Sequence, residues 1–356
     1  MTILLVRPRL IGDVLLTTPV IRALRRRYPG ATLLYLVEAM AAPIVRANPH
    51  VSETIIIRHR RGWRRLAEDW TIARGLRARR IDVALDLHGG PRSSWLTFAS
   101  RATMRVGYDV SGRGWMYTHV VPRPRGYAPR HSVLNQWDLL APVDPAFGAP
   151  PDPDRDRLEM PVDERARRMV QERLASSGIR ETDATVVLHV GAGNEFRRWP
   201  AASFAEVASA LARDERIQAV VVVGAAADAP AIREVAERAG RGAGSNARVV
   251  EAVDWPLTEL RALMDRASLF VGGDSGPMHI AATTDVPIVA LFGPTLPAHW
   301  APWRPARLPF AAIEPGPLDC RPCDQRICAP GDFRCLRGTG PERVIDAARE
   351  LLKNAS

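Results

Sequence analysis

Leu269-Phe270-Val271-Gly272-Gly273-Asp274-Ser275-Gly276-Pro277-Met278-His279 holds a strand, a turn and the start of a helix in eleven residues. Leu269–Val271 is a continuous apolar run of the kind found in a buried strand. Two glycines end it. A helix then begins at Gly276 or Pro277, with Ser275 as its natural cap and proline in the first turn, where its missing N–H does no harm. Strand, glycine turn and helix in this order form the repeating unit of a parallel sheet.

The same alternation extends outward from this segment. Thr185–Val190, Gln218–Val223, Arg248–Val250 and Pro287–Phe292 read as further strands, with helices over Ala201–Arg213, Ala229–Ala239, Leu257–Arg266 and Gly276–Thr283. The front of the chain repeats the pattern. Strands fit Ile3–Val6, Leu33–Val37, Thr54–Ile57 and Ile81–Leu87; between them lie a helical stretch ending near Tyr28-Pro29-Gly30 and helices over Ala39–Ala47 and Arg64–Ala78. Continuous apolar runs predict parallel sheets buried on both faces. Beyond Leu87 the pattern dissolves, and Pro142–Pro161 (PVDPAFGAPPDPDRDRLEMP) has linker composition. Pro341–Leu352 closes the chain as a helix with apolar positions at Val344, Ile345, Ala348, Leu351 and Leu352. The expected architecture is α/β: two Rossmann-like domains, 1–155 and 156–340, followed by a terminal helix over 341–356. Their parallel sheets face a central cleft at the carboxyl ends of the strands, where such sheets bind ligands.

The 356 residues suffice for two ordinary domains, and 46% hydrophobic with 25% charged residues excludes a disordered or fibrous chain. No apolar run approaches the ~18 residues of a membrane-spanning helix. Ile3–Val6, followed by Arg7 and Arg9, is too short for the apolar core of a secretory signal, so a soluble cytosolic protein is expected. Lys and Arg number 49 against 39 acidic residues, a net charge of +10. That balance favours anionic partners. It is equally the product expected of a base composition rich in arginine codons, because Lys353 is the only lysine. The segment Arg58–Arg80 interleaves Trp63 and Trp70 with arginines, and Leu66, Trp70, Ala73 and Leu76 recur at helical spacing. It reads as a solvated helix face or as a contact for an anionic membrane or substrate.

Four segments carry candidate chemistry. In Arg7-Pro8-Arg9-Leu10-Ile11-Gly12-Asp13-Val14, Asp13 stands at or near a helix start; it is either an ordinary cap, worth ~1 kcal/mol, or a carboxylate aimed into the cleft. The dinucleotide fingerprint G-x-G-x-x-G is absent. In the 269–279 segment, exposed N–H groups at the helix start suit a phosphate, with Asp274 on its sugar side and His279 one turn in; the plainer reading is a tight turn with a capping serine. Its G-D-S-G string also occurs around the nucleophile of trypsin-like serine proteases, but those are all-β and carry a disulfide framework that this chain lacks. In His189–Pro200, Arg197 or Arg198 is placed to clamp a pyrophosphate, or else to stack on Trp199. Finally, Cys320, Cys323, Cys328 and Cys335 have ligand-like spacing for a four-thiolate zinc site, or are reduced packing cysteines.

Taken together, the chain resembles glycosyltransferase family 9, the lipopolysaccharide heptosyltransferases, along nearly its whole length. The matching stretches are Gly12-Asp13-Val14-Leu15 with Thr17-Thr18-Pro19, the R-W-P-x-x-x-F-A-E-V run from Arg198 to Val207, G-D-S-G-P-M-H-I-A-A from Gly273 to Ala282, and the cysteine cluster. The resemblance implies a GT-B fold with the last helix packing back on the first domain. It implies inverting transfer with Asp13 as the general base and no cofactor or catalytic metal, the cysteines being structural. Asp274 then contacts the donor sugar, Ser275 and Gly276 bind its phosphate, and Arg197 replaces the family's phosphate-binding lysine. Glu251 binds the ribose, and His279 belongs to the motif without an assigned role. The implied partners are an ADP-heptose donor, a lipopolysaccharide-core glycolipid acceptor and the anionic inner face of the cytoplasmic membrane. Nucleic acid is not among them, since no binding module accompanies the charge. Three alternatives stand beside this reading: a family-9 transferase with another donor or acceptor, a hydrolase using Ser275, and a non-catalytic binding protein.

Overall fold

The computed structural model describes residues 1–58, 60–123, 129–241 and 247–354. His59 of the basic segment and residues 355–356 of the expected terminal helix lie outside the described residues. The chain forms two compact units, Met1–Pro161 and Val162–Ser356.

Among the described residues, each unit is built on a six-stranded parallel sheet. In the first, β1 (Thr2–Val6), β2 (Thr32–Glu38), β3 (Glu53–Ile57), β4 (Val83–Asp86), β5 (Met104–Tyr108) and β6 (His119–Val121) lie in the order β3-β2-β1-β4-β5-β6. In the second, β7 (Thr185–His189), β8 (Ala219–Gly224), β9 (Arg248–Val253), β10 (Leu269–Gly273), β11 (Ile288–Leu291) and β12 (Phe310–Ile313) lie in the order β12-β11-β10-β7-β8-β9. Counted within its own unit, each sheet has the doubly wound order 3-2-1-4-5-6. The central strands are apolar throughout: Ile3 to Val6 and Val220 to Val223 are fully buried, as helices covering both faces require.

Two expectations need correction. The pattern does not dissolve after Leu87: helix Pro91–Ala99, β5 and β6 complete the first sheet. The domain boundary falls after Pro161, not after Arg155. Asp156 is buried and ion-paired to Arg26 at 2.8 Å, the Glu159 N–H donates to Thr18 Oγ1 at 2.9 Å, and Leu158 and Met160 are buried, which binds this Pro- and Asp-rich stretch to the first unit. The apolar face of the terminal helix, Pro341–Asn354, packs in the second unit. Val344, Ala348, Leu351 and Leu352 are buried in one core with Phe204, Leu211, Val271 and Ile313 of the second unit.

The basic segment divides by face. In helix Gly62–Ala78, Ala73 and Leu76 are buried, but Leu66 and Trp70, expected to share their face, are exposed.

Truncating a buried leucine removes its transfer free energy and leaves a cavity, together about 2–5 kcal/mol. Leu351→Ala is therefore expected to destabilise the second unit by that order. Amide hydrogen exchange should report the loss in β10–β12; unchanged protection there would refute the placement of the helix.

Candidate active site

In the first unit the chain leaves β1 at Val6 and enters a short helix, Ile11–Leu15, capped at Leu10. Asp13 lies inside the first turn of that helix and is not its cap. Its carboxylate instead meets the guanidinium of Arg7: Nη2 to Oδ2 is 2.7 Å, and both side chains are largely buried, 9% and 15% exposed. Arg7 Nη1 also donates to the carbonyl of Leu87, just beyond β4. β1 and β4 are neighbours whose crossovers leave to opposite sides, so Arg7 ties Asp13 to the point where an open α/β sheet binds ligands. Arg7 is a residue that sequence reasoning did not single out. The available signal was a basic residue placed directly at the carboxyl end of the first strand.

A buried carboxylate shapes the other side of this point. Asp86 ends β4 and accepts the N–H groups of His88 (3.0 Å) and Gly89 (2.8 Å), together with the hydroxyls of Ser93 and Tyr117. This network fixes the turn after β4. His88 is held below its ordinary pKa, chiefly by burial and next by the neighbouring Arg7 charge, so it is neutral near pH 7.

In the second unit the equivalent point lies between β7 and β10, where His189 pairs in register with Gly272. His189 is buried, and desolvation pulls its pKa down to about 4 against the opposing charge of Asp228. Its Nδ1 lies 3.4 Å from Ser275 Oγ. Ser275 occupies the cap position of helix Gly276–Ala281, yet its side chain makes no capping bond and turns toward the histidine. Gly276 opens that helix, and His279 is buried in its last turn.

The two arginines after β7 diverge. Arg197 closes a single turn, Glu195–Arg197, and its Nη1 lies 3.4 Å from Asp274 Oδ2. Its Nε donates to Gln325 Oε1 at 2.7 Å, so the guanidinium is braced from two sides. Asp274 itself is buried. Arg198 reaches the other way, to Asp228 Oδ1 at 3.2 Å. Neither arginine is accounted for by stacking on Trp199, which is buried edge-to-face on Phe204 and donates its indole N–H to the Thr339 carbonyl. Asp228 accepts the Ala225 N–H and lies against the backbone of Gly191, where a Cβ would stand 2.1 Å from its Oδ2. Only glycine permits that approach. Arg198, Asp228, Trp199, Val190, Phe333 and Arg337 line a cavity of about 570 Å³ beside the ends of β7 and β8.

Asp274, Ser275 and Arg197 are thus brought together, and Glu251 stands apart from them on the edge strand of the second sheet. It lies within β9, in register with Val222 on the outermost strand, and is exposed. Two carboxylates line the cavity, the exposed Glu195 and the buried Asp228, and sequence reasoning singled out neither; Asp228 is the one held by Arg198. Its sequence signal was an acidic residue between the end of a strand at Gly224 and the helix-starting Ala229-Pro230.

The zinc expectation finds no support in the structure. Among the described residues no three His, Cys, Asp or Glu side chains are grouped to hold a metal ion. Cys320, Cys323, Cys328 and Cys335 are partly exposed free thiols. Burial, reinforced by the other three cysteines, pushes the Cys335 thiol up.

Comparison with known proteins agrees with this architecture. The sequence model of glycosyltransferase family 9 (heptosyltransferase) matches residues 70–327. Lipopolysaccharide heptosyltransferase 3 of Escherichia coli is 29% identical over 311 residues, covering 85% of this chain and 86% of its own. A crystal structure of a glycosyl transferase family 9 protein from Veillonella parvula matches with a TM-score of 0.81 at 25% identity, over 99% of this chain and 97% of that one. The E. coli ADP-heptose LPS heptosyltransferase II matches with a TM-score of 0.76 at 23% identity over 99% of both chains, a likeness of fold. Paired doubly wound sheets, the candidate residues at both switch points and a family match over most of the length lead to one conclusion: the chain belongs to glycosyltransferase family 9, the heptosyltransferases, and is a glycosyltransferase of GT-B fold.

Proposed function

We propose that this enzyme transfers a heptose, with inversion, from an ADP-heptose to the inner core of lipopolysaccharide at the inner face of the cytoplasmic membrane. The observation that carries the reading is the Arg7–Asp13 pair, a carboxylate fixed at the switch point of a sheet. Asp13 takes the proton of the acceptor hydroxyl as its oxygen attacks the anomeric carbon. The bond from that carbon to the diphosphate oxygen breaks on the opposite face, and the nucleoside diphosphate leaves with the electron pair. Arg197 and the N–H groups at Ser275 and Gly276 take up its charge without a divalent cation. Arginine in place of lysine supplies a planar fork, and the Asp274 and Gln325 contacts fix its direction.

The donor's other end finds its chemistry in the cavity. Asp228 offers a carboxylate to ribose hydroxyls, and Trp199 and Phe333 offer apolar walls to a base. Its volume of about 570 Å³ is in the usual range for small-molecule sites. Asp228 thus joins Glu251, which the family resemblance implies, as a carboxylate offered to the ribose. The ADP-heptose of the E. coli neighbour supports adenine as the base.

A second reading rests on one contact, Ser275 Oγ to His189 Nδ1 at 3.4 Å, which also fits an activated serine nucleophile. A neutral buried imidazole is the form such a base needs, so reactivity separates the two. A transferase keeps part of its activity in Ser275→Ala and resists phosphonates, whereas a hydrolase loses everything in both tests.

Calorimetry with ADP, UDP, GDP and NAD tests the main reading. ADP is expected to bind best, and to bind Asp13→Ala unchanged while transfer falls by about 10²–10⁴-fold. Arg197→Ala should weaken ADP binding by about 10–100-fold, the loss of a charge-assisted contact. Preference for UDP or GDP would remove the ADP-heptose donor, and absence of nucleotide binding would end the reading. His189 gives a separate check through stability. Its folded pKa of about 4 lies below the ordinary 6.5, so the unfolded chain takes up the proton first as pH falls. The stabilisation is present above pH 6.5 and is lost toward pH 4, by up to about 1.4 kcal/mol per unit. Chemical denaturation of His189→Gln should show a correspondingly shallower pH dependence than wild type.

A further inference from the structure

We propose that helix Gly62–Ala78 docks the first unit on an anionic lipid bilayer by seating Trp63, Leu66 and Trp70 in the interfacial layer. The proposal rests on the glycolipid-acceptor reading for its choice of a lipid surface, and names the surface of the protein that meets it.

The helix has a broad apolar surface, only part of which is used by the fold. Ala73 and Leu76 are buried, and Ile72 packs with Leu76 against Val6, Leu36 and Leu96. Adjoining that face, Trp63, Leu66, Ala67, Trp70 and Arg74 recur at intervals of three, four and seven residues, which places them along one exposed stripe. Trp63 is 73% exposed, Leu66 69% and Trp70 57%. Three large apolar side chains in a row, open to water, mark an interaction surface and not random surface composition.

Charge selects the partner. The helix has two carboxylates in this region, and both are drawn inward: Arg92 Nη2 lies 2.6 Å from Asp69 Oδ1 and 3.4 Å from Glu68 Oε2. Arg65 adds a contact to Asp69 at 3.6 Å. The outer stripe is left with arginines alone. Arg64 sits 5.6 Å from the Trp63 ring and Arg77 the same distance from the Trp70 ring, while Arg60 and Arg61 precede the helix at the same end. Indoles settle at the headgroup level, and arginine side chains lay their stems on apolar surface while their heads reach lipid phosphates. A second copy of the same stripe would bring like charges together, so an anionic membrane is the complementary surface.

The test uses the full chain with vesicles of phosphatidylethanolamine containing phosphatidylglycerol, beside vesicles of phosphatidylcholine alone. Co-sedimentation and a blue-shifted tryptophan emission are expected only with the anionic vesicles, weakening as salt rises. The triple variant Trp63→Ser/Leu66→Ser/Trp70→Ser should lower partitioning by at least about tenfold, and Arg64→Gln/Arg74→Gln should lower it while flattening the salt dependence. Quenching of wild-type emission by brominated lipid, reduced in Trp63→Phe, provides a check that does not depend on the triple variant folding. Unchanged partitioning of the triple variant, or no anionic preference in wild type, would overturn the proposal. So would a concentration-dependent dimer in sedimentation velocity that the triple variant abolishes, which would assign the stripe to a second copy. ADP binding is measured on every variant: its loss in wild type would strike at the transferase reading, and its retention alongside absent vesicle binding would strike at the docking surface alone.

Discussion

Parallel pairing of β1 with β4 and of β7 with β10 is the constraint on which the rest of the molecule depends. Two parallel neighbours cannot be joined by a tight turn, so the chain must cross over, and right-handed crossovers on either side of a central pair leave to opposite faces. The loops at the carboxyl ends of those two strands separate, and the gap between them stays open to ligands. The residues gathered at the two gaps follow from this. Arg7 and the turn fixed by Asp86 flank one gap; His189, Arg197, Asp274 and Ser275 flank the other.

Within each gap, direction is imposed by arginine. Arg7 joins Asp13 to the Leu87 carbonyl, Arg197 joins Asp274 to Gln325, and Arg198 joins Asp228 to the Ala192 carbonyl. A guanidinium bridges two acceptors in fixed geometry, which a lysine ammonium does not do. The arginine-rich composition, read from sequence as either partner preference or base usage, therefore has a local structural use at these positions. Arg197 and Arg198 are partly exposed, and the value of their pairs lies in orientation more than in stability.

The sequence was most legible where apolar runs were continuous. Ile3–Val6 and Val220–Val223 are buried central strands with no other reading. Legibility failed at the edges: β6 is three residues, and β12 is Phe-Ala-Ala-Ile with a half-open face, so neither carries enough apolar signal to stand out. At the site, Asp13, Asp274, Ser275 and Arg197 lay in recognisable motifs. Arg7 and Asp228 did not, because their significance comes from partners 80 or 30 positions away that only folding brings near: Leu87 for Arg7, and Arg198 for Asp228. Composition likewise misplaced the end of the first unit. Proline and aspartate usually mark a tether, but here Asp156 is buried against Arg26 and Arg155.

That last feature has a bearing on how the gene can be taken apart. Severing the polypeptide after Arg155, where composition invites it, would strip Arg26 of its counter-charge and uncover the seats of Leu158 and Met160. A break between Pro161 and Val162 keeps the aspartate with its arginines and crosses no strand or helix. The proline-rich tail of the first unit is thus a clasp sewn to its own body. Shuffling halves between related enzymes should respect that seam, six residues beyond the apparent one.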